Sequence, residues 1–265
     1  MIAVDVGNAR IKLGMFAEQV PPRVPLAPPV LPSDDVLPEP EWTLAISGRT
    51  PDFGQLAARL GELPSAAMDW YIGSVNRTST TRLIDWLRGA RPQDRITLLA
   101  AGDLPLVVKL PRPDMVGVDR LLDALAANHL RPAGRPAIVV DVGTAITVDM
   151  VSAEGFFMGG AILPGIAMCA RALHEFTDLL PQLDLSDLAV APPVLGDCTE
   201  SAMRSGLFWG AVGAVRQLVE QLANGDTVDV FLTGGAGPVV AELLGNSARH
   251  VPNLTLAGIA LAAKW

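Results

Sequence analysis

The chain has 265 residues, half of them hydrophobic and 18% charged, which suits one large domain or two of roughly 130 residues each. Its formal net charge of -8 argues against a nucleic-acid-binding surface, because such surfaces need clustered Lys and Arg. Cys169 and Cys198 are too few for a disulfide framework. We expect two buried, reduced thiols, although a single disulfide between them stays open.

No segment of the sequence predicts export or membrane insertion. The first residues lack the basic and apolar regions of a signal peptide. The most apolar stretches fall short of the roughly 18 residues that span a bilayer. The expectation is therefore a soluble, cytoplasmic protein without a membrane partner.

Strands and helices are predicted to alternate in the first half of the chain. Residues 1–16 are typical of a β-hairpin, whereas the Pro-rich residues 20–40 predict an extended loop. Apolar patterns predict further strands at residues 41–47, 68–75 and 96–99, and helices at residues 53–60, 82–87 and 118–130. This alternation favours an α/β fold.

The second half of the chain repeats that alternation. Strands are predicted within residues 136–151, 155–165 and 228–232, and helices at residues 166–176, 197–222, 239–244 and 254–263. Asp197, with Glu200 three residues later, predicts a capping box at the start of the long helix. Three glycines on one side of that helix, Gly206, Gly210 and Gly213, predict close packing against a neighbour.

Two segments share a pattern of strand, Gly-containing turn and strand: Asp5-Val-Gly-Asn8 and Asp141-Val-Gly-Thr144. Such a turn can direct successive backbone N–H groups at an anion, and Lys12 on the return strand could reach the same anion. Alone, the first segment is also explained as an ordinary hairpin turn with Asp and Asn at favoured positions. The repetition predicts a duplicated domain, whose two phosphate-sized turns would line a nucleotide cleft.

Gly117-Val-Asp-Arg120 stands at the start of the helix predicted over residues 118–130. Asp119 is also explained as a capping carboxylate, because helix N-termini favour negative charge. Arg120 is less expected, since cations favour helix C-termini. Its planar guanidinium suggests pairing with a substrate carboxylate.

Two glycine-rich segments could let a ligand approach the backbone: Gly159–Gly165 and Thr233-Gly-Gly235. The sequence contains neither the P-loop pattern nor the dinucleotide-binding glycine pattern. His129, His174 and His250 share no metal-ligand spacing, so we interpret them as structural or exposed.

Taken in order, these motifs resemble those of the type III pantothenate kinases, a family of the acetate and sugar kinase, Hsp70 and actin superfamily. The resemblance is carried by Asp5–Asn8 with Lys12, Gly117–Arg120, Asp141–Thr144, Gly159–Gly165, Gly196–Thr199 and Thr233–Gly235. It implies an α/β fold of two ribonuclease-H-like (actin-like ATPase) domains, residues 1–115 and 116–265, with a nucleotide cleft between them.

The resemblance also implies ATP-dependent phosphorylation of pantothenate to 4′-phosphopantothenate, the first step of coenzyme A biosynthesis. The implied ATP-binding residues are Asp5, Val6, Gly7, Asn8, Ala9, Arg10, Ile11, Lys12, Thr144, Gly234 and Gly235. The implied substrate-binding residues are Gly117, Val118, Asp119, Arg120 and Thr199, with Asp119 as the catalytic proton acceptor. Asp141 would bind a monovalent cation, K⁺ or NH₄⁺, and Asp5 would lie near the Mg²⁺ that accompanies ATP. Family members are typically homodimers.

The chain departs from the family pattern at two positions near these motifs. Leu110 stands seven residues before Gly117, where the family commonly carries Tyr. Asn76 stands where many members have Pro. The first departure bears on the shape of the pantothenate pocket.

Two other functions remain open from the sequence. One is a kinase or phosphatase of the same superfamily that acts on another small hydroxylated substrate, such as a sugar; Gly117–Arg120 argues against it. The other is a nucleotide-binding regulatory protein descended from the kinase. The presence of Asp119 argues against the regulator, which has no need of a base.

Overall fold

A computed structural model describes residues 1–17, 36–62, 66–184, 190–245 and 248–265. In chain order the strands are β1 (Ile2–Val6), β2 (Arg10–Met15), β3 (Trp42–Ser47), β4 (Asp69–Ser74), β5 (Arg95–Leu98), β6 (Ala137–Val142), β7 (Ala145–Val151), β8 (Phe157–Pro164), β9 (Asp229–Thr233) and β10 (Ala248–His250). The α-helices are α1 (Phe53–Gly61), α2 (Arg77–Ala90), α3 (Val118–Leu130), α4 (Ile166–Glu175), α5 (Thr199–Ala223), α6 (Gly237–Leu244) and α7 (Leu254–Ala262).

The chain folds into two compact units. The first unit contains residues 1–130 and 254–265, and the second contains residues 131–253. This division differs from the boundary expected after residue 115. The reason is that α3 packs on α7 and on strands of the first unit, so both helices belong to that unit.

Each unit contains a five-stranded sheet of the same topology. The first sheet has the order β3-β2-β1-β4-β5 and the second has the order β8-β7-β6-β9-β10. In both sheets the first two pairings are antiparallel and the last two are parallel. The predicted duplication of an α/β domain is therefore confirmed, strand by strand.

Helices cover both faces of the first sheet. Ile2, Val4 and Val6 of β1 point into a core formed with α1 and α2. The alternate residues of β1 point to the opposite face, where α3 and α7 pack. Asp5 lies on that second face, and Lys12 shares it because the two residues are directly paired across β1 and β2.

The second sheet carries a carboxylate, that of Asp141, at the position equivalent to Asp5. Alternate residues of β6, including Val140 and Val142, form a core with Phe208 and Val212 of α5. Asp141 lies between them in sequence and therefore points to the opposite face. Like Asp5, it is the penultimate residue of the first strand of its hairpin.

Most predicted elements are present. Three features differ from the prediction: the start of α2, the short strand β10 and the cap of α5. Helix α2 begins at Arg77 rather than Arg82, because Asn76 caps it by accepting a hydrogen bond from Ser79 N at 3.1 Å. Strand β10 was not predicted, since its three residues carry no apolar alternation. The predicted Asp197–Glu200 capping box is wrong.

The start of α5 has a different cap from the predicted one. Cys198 is the capping residue, and its backbone N–H donates to the Ser201 hydroxyl at 3.0 Å. The helix therefore begins one residue later than Asp197 and Glu200 would require.

Two predictions about packing in the second unit are also corrected. A Cβ added to Gly206, Gly210 or Gly213 would meet no described atom within 4 Å, so the predicted close packing of this glycine face is wrong within the described residues. Both cysteines have free thiols, as expected, but Cys198 is exposed and Cys169 is only partly buried. Hydrogen bonds from Ser201 lower the pKa of the Cys198 thiol.

Most of the predicted Pro-rich loop, residues 20–35, lies outside the described part of the chain. None of the described helices combines the length and apolarity needed to cross a bilayer.

Candidate active site

The first turn, residues 7–10, joins β1 to β2. Gly7 N donates to Arg10 O at 3.0 Å, which closes the turn and leaves Asn8, Ala9 and Arg10 exposed. Asp5 and Lys12 flank it as a cross-strand pair on one face of the sheet. The turn therefore presents exposed backbone N–H groups beside one cation and one carboxylate, a combination that suits a polyphosphate with its metal ion.

The structure brings Gly117–Arg120 next to this turn, although the two motifs are far apart in sequence. Val75 N donates to Val6 O at 3.1 Å, at the residue that precedes Gly7. A Cβ on Gly117 would lie 3.6 Å from Cγ1 of the same Val75. Val75 therefore bonds one motif and lies near the other, and the predicted substrate-binding segment lies close to the predicted phosphate turn within one unit.

Asp119 occupies the first turn of α3 and is partly buried. Its Oδ1 accepts a hydrogen bond from Arg120 N at 2.8 Å. Burial raises the pKa of Asp119 above its ordinary value of 3.8, and the N–H and positive charge of Arg120 oppose that rise. A Cβ at position 117 would lie 2.5 Å from Asp119 Oδ1, so a larger residue there would displace the carboxylate.

The glycine-rich segments of the second unit converge on the second turn, residues 143 and 144, between β6 and β7. Gly165 N donates to Thr144 O at 3.1 Å, and a Cβ on Gly165 would lie 2.5 Å from Gly143 O. Gly234 has a φ of +89°, and a Cβ on it would lie 2.5 Å from Val142 O and collide with Asp141 Oδ1. Both segments are therefore built from glycine to fit against this turn.

Asp141 is placed by these contacts where a cation could bind. A Cβ on Gly143 would lie 3.5 Å from both carboxylate oxygens, and Gly234 approaches from the adjacent strand end. Hard monovalent cations take carboxylate and backbone carbonyl oxygens as ligands. The Asp141 carboxylate and the Val142 carbonyl, which both lie against Gly234, supply oxygen donors of this kind.

Thr199 is the exposed first residue of α5, in the second unit. The loop before it packs tightly on the helix, because a Cβ on Gly196 would lie 2.5 Å from Ala202 Cα. Thr199, Thr144, Gly234 and Gly235 belong to the second unit, whereas Asp5–Lys12 and Gly117–Arg120 belong to the first.

The described residues contain no group of three or more His, Cys, Asp or Glu side chains that could hold a metal ion. A divalent cation near Asp5 would depend on phosphate oxygens and water for most of its ligands, which is the usual mode for Mg²⁺ with a nucleotide. His129 is buried, His174 is exposed and His250 is partly buried, in agreement with their interpretation as structural or exposed residues.

Comparison with known proteins agrees with the order of these motifs. A sequence model described as Type III pantothenate kinase matches residues 1–221. The chain belongs to the type III pantothenate kinase family. The fold and the sequence match therefore agree on this family.

Members of this family match the chain over different shares of its length. The type III pantothenate kinase of Parafrankia sp. (strain EAN1pec) is 39% identical over 98% of this chain and 96% of its own. That of Rhodopirellula baltica is 35% identical over 92% of this chain and 90% of its own. The match to that of Acidiphilium cryptum, at 39% identity, spans 61% of this chain and 59% of the relative.

Solved structures support the fold. A protein from Campylobacter jejuni assigned to the Baf family of transcriptional activators has a TM-score of 0.61 at 17% identity, covering 100% of this chain and 98% of its own. A protein from Sinorhizobium meliloti assigned as a 2-dehydro-3-deoxygalactonokinase has a TM-score of 0.55 at 17% identity, covering 99% and 98%. At this identity the likeness concerns the fold alone, and it agrees with the predicted two-domain actin-like architecture.

The motifs did not indicate two residues that contact the first turn, Gly48 and Asn76, or a third, Ser79, that holds one of them. Gly48 N donates to Ala9 O at 2.8 Å, and Asn76 Nδ2 donates to Gly7 O at 3.5 Å. Ser79 in turn holds Gly48 by donating to its carbonyl at 2.7 Å. The one sequence signal was Asn76 itself, a favoured capping residue before a hydroxyl-rich helix start.

Proposed function

We propose that the chain transfers the γ-phosphoryl group of ATP to the primary hydroxyl of pantothenate, giving 4′-phosphopantothenate in the first step of coenzyme A biosynthesis. Membership in the type III pantothenate kinase family supports this activity. The structural observation that carries it is the position of Val75, which bonds the end of β1 and lies beside Gly117. This proximity supports a site in which Asp119 acts next to the phosphate turn.

ATP binding is assigned to residues 5–12 of the first unit and to Thr144, Gly234 and Gly235 of the second. The exposed N–H groups of the first turn suit phosphate oxygens, and Lys12 adds a positive charge. The positive φ of Gly234 and the exposure of Thr144 and Gly235 keep backbone accessible at the second turn. That both turns bind one nucleotide remains a prediction from the sequence.

Pantothenate binding is assigned to Gly117–Arg120 and Thr199. Pantothenate carries a carboxylate, for which the forked guanidinium of Arg120 is a suitable partner. Leu110, which is half-buried, replaces the Tyr common in the family and supplies an apolar surface instead of a hydroxyl.

Asp119 would orient the pantothenate hydroxyl and accept its proton. Phosphoryl transfer passes through a loose transition state, so positioning and charge neutralisation contribute more than strong base catalysis. The burial that raises the pKa of Asp119 also makes its carboxylate a better proton acceptor. Gly117 keeps the space beside Oδ1 free of a side chain.

Kinases of this kind use ATP with a divalent metal ion, which we propose to be Mg²⁺ with Asp5 nearby. We further propose K⁺ or NH₄⁺ beside Asp141, where its carboxylate and the Val142 carbonyl supply oxygen donors close to Gly234. When bound, these ions would neutralise phosphate charge.

A homodimer in the cytoplasm, without a nucleic-acid partner, completes the proposal. The exposed glycine face of α5 and the nearly bare side chains of Phe176, Leu179 and Leu195 support self-association, since such apolar surface is costly in water. The net charge of -8 supports the absence of nucleic acid. Light scattering would give twice the chain mass of 27.9 kDa for a dimer, and the chain mass itself would exclude one.

A test of the activity is ADP release from ATP with Mg²⁺ and K⁺, measured with and without pantothenate and against a panel of sugars. ADP release that depends on pantothenate alone supports the proposal. Release that depends on a sugar would identify another kinase of the same fold, and nucleotide binding without turnover would identify a regulator.

A further inference from the structure

The first turn is contacted by two segments that lie outside its own hairpin. From the loop after β3, Gly48 N donates to Ala9 O at 2.8 Å, and a Cβ on Gly48 would lie 3.1 Å from Arg10 N. From the start of α2, Asn76 Nδ2 donates to Gly7 O at 3.5 Å. Two peptides of the turn, Gly7–Asn8 and Ala9–Arg10, therefore have their carbonyl groups held from outside.

The first turn of α2 links these two contacts. The Ser79 hydroxyl donates to Gly48 O at 2.7 Å, and Ser79 is only 3% exposed. Ser79 N donates to Asn76 Oδ1 at 3.1 Å. Asn76 and Ser79 are thus hydrogen-bonded to each other. Asn76 bonds the turn directly, and Ser79 bonds the loop that contains Gly48.

Asn76 is itself fixed by hydrogen bonds within the same region. Its N–H donates to Ser74 Oγ at 3.0 Å, and its carbonyl accepts from Thr80 Oγ1 at 2.8 Å. Ser74 and Thr80 also share a hydrogen bond of 2.5 Å between their hydroxyls. The amide that reaches Gly7 O therefore projects from a rigid base at the end of β4.

Because the peptide bond is planar, a hydrogen bond that fixes the carbonyl of Gly7 also fixes the direction of the Asn8 N–H group. In a trans peptide the carbonyl and the following N–H point in opposite directions. Holding Gly7 O from the side of Asn76 therefore directs the N–H of the exposed Asn8 away from α2. This is the group that a phosphate at the turn would meet first.

We propose that Asn76 and Ser79 are positioning residues for the first turn: they hold the Gly7–Asn8 peptide and the Gly48 loop so that the turn is preorganised for ATP phosphate. The inference rests on the proposed binding of ATP by this turn. Preorganised donors bind an anion more tightly because little order is lost on binding. The effect falls on ATP and leaves pantothenate and the proton acceptor untouched.

Steady-state kinetics of Asn76→Ser and Ser79→Ala test the proposal, with Thr81→Ala as the matched control. Thr81 lies on the same helix, and its hydroxyl donates to Arg77 O at the exposed surface. We expect each test variant to raise the KM for ATP about fivefold, the size of one lost hydrogen bond. The kcat, the KM for pantothenate and all constants of the control should stay within about twofold of wild type.

Asn76→Asp separates this role from a purely structural one. The carboxylate keeps the oxygen that caps α2, and the helix dipole favours its charge, so thermal stability should be retained. The donor to Gly7 O is lost, so the KM for ATP should still rise. Because the new carboxylate would also repel phosphate, positioning is supported only if the uncharged Asn76→Ser variant shows a comparable rise and the Asp variant keeps its Tm.

The proposal is overturned if Asn76→Ser, Asn76→Asp and Ser79→Ala all keep the KM for ATP of the Thr81→Ala control. A wild-type chain without pantothenate-dependent turnover would overturn the proposed function instead. In that case calorimetric titration with ATP still decides the inference, since weaker binding by the same variants supports it and equal binding contradicts it.

Discussion

At the scale of single residues, Asp119 differs from an ordinary surface aspartate in its burial, its raised pKa and its place beside Gly117. Its carboxylate accepts a hydrogen bond from the next residue and lies in the first turn of α3, where a helix favours negative charge, so a structural role and a catalytic one are compatible. Replacement of Asp119 by Asn distinguishes the two roles, because the amide keeps an oxygen that accepts a hydrogen bond but cannot accept the proton.

Asp119→Asn should lower kcat by about 10² or more, the usual contribution of a positioned acid or base. The fold should persist, because Asn Oδ1 can still accept the hydrogen bond from Arg120 N. Pantothenate-dependent ADP release gives kcat, and thermal unfolding reports the fold. A variant with near wild-type kcat would remove Asp119 from the proposed role.

The stability difference between wild type and Asp119→Asn should depend on pH. Because the folded pKa of Asp119 is raised, its contribution to stability is fully present below the unfolded pKa and is lost as pH rises through the folded pKa. Unfolding free energies measured from below pH 3.8 upward should therefore shift in favour of the Asn variant until the carboxylate is ionised. A shift in favour of the wild type over that range would contradict the raised pKa.

At the scale of elements, the two hairpins share a pattern but differ in what supports their turns. The first turn is held by side chains from α2, whereas the second is held by the backbone of Gly165 and Gly234. The second arrangement depends on the absence of a Cβ. We therefore expect alanine to destabilise the protein much more at Gly234 than at the neighbouring Gly235.

Gly234→Ala should destabilise the protein by about 1–3 kcal/mol, because its φ of +89° is strained for alanine and the new methyl would meet Val142 O. Gly235→Ala is the control, since a Cβ there meets no described atom within 4 Å. Thermal or denaturant unfolding of both variants measures the difference. Equal stabilities would contradict the tight approach at Gly234.

Elements with strong local signals were predicted well. Helix α3 matches its predicted bounds because its apolar residues recur at core spacing, and both hairpins follow from apolar strands around a glycine. The start of α2 was missed because residues 77–81 are mostly hydroxyl-bearing and lack an apolar stripe. The cap of α5 was misplaced because Ser201, rather than Glu200, accepts the N–H of the capping residue.

The candidate site was predictable to the extent that its residues stand in short motifs. The contact of Val75 with Gly117 depends on how α3 packs beside β4, which no local pattern encodes. The same holds for Gly48, Asn76 and Ser79, whose hydrogen bonds join segments separated along the chain. Tertiary contacts of this kind explain why the supporting residues were missed while the motifs were found.

At the scale of the whole molecule, duplication supplied two sheets of one topology, and each carries a carboxylate at the penultimate position of its first strand. The surroundings of the two carboxylates differ. Asp5 is paired with Lys12 across its hairpin, whereas Asp141 is paired with the uncharged Thr147 and lies against Gly234. This difference supports a phosphate-binding role for the first copy and a cation-binding role for the second.

Replacement of K⁺ by Na⁺ should lower kcat in the wild type, because a site of fixed oxygen ligands selects an ion by size. Asp141→Asn should have low activity in both salts and little response to the exchange. The assay is ADP release at constant ionic strength. Equal wild-type rates in K⁺ and Na⁺ would argue against the proposed ion beside Asp141.

The most direct test of the account follows the phosphoryl group itself. ATP labelled in its γ-phosphoryl group is incubated with the protein, Mg²⁺, K⁺ and pantothenate, and the labelled products are separated and identified. We predict that the label appears in 4′-phosphopantothenate and that Asp119→Asn slows its appearance by about 10². Label that stays in ATP, or that appears only as inorganic phosphate, would contradict the assignment of this chain as a pantothenate kinase.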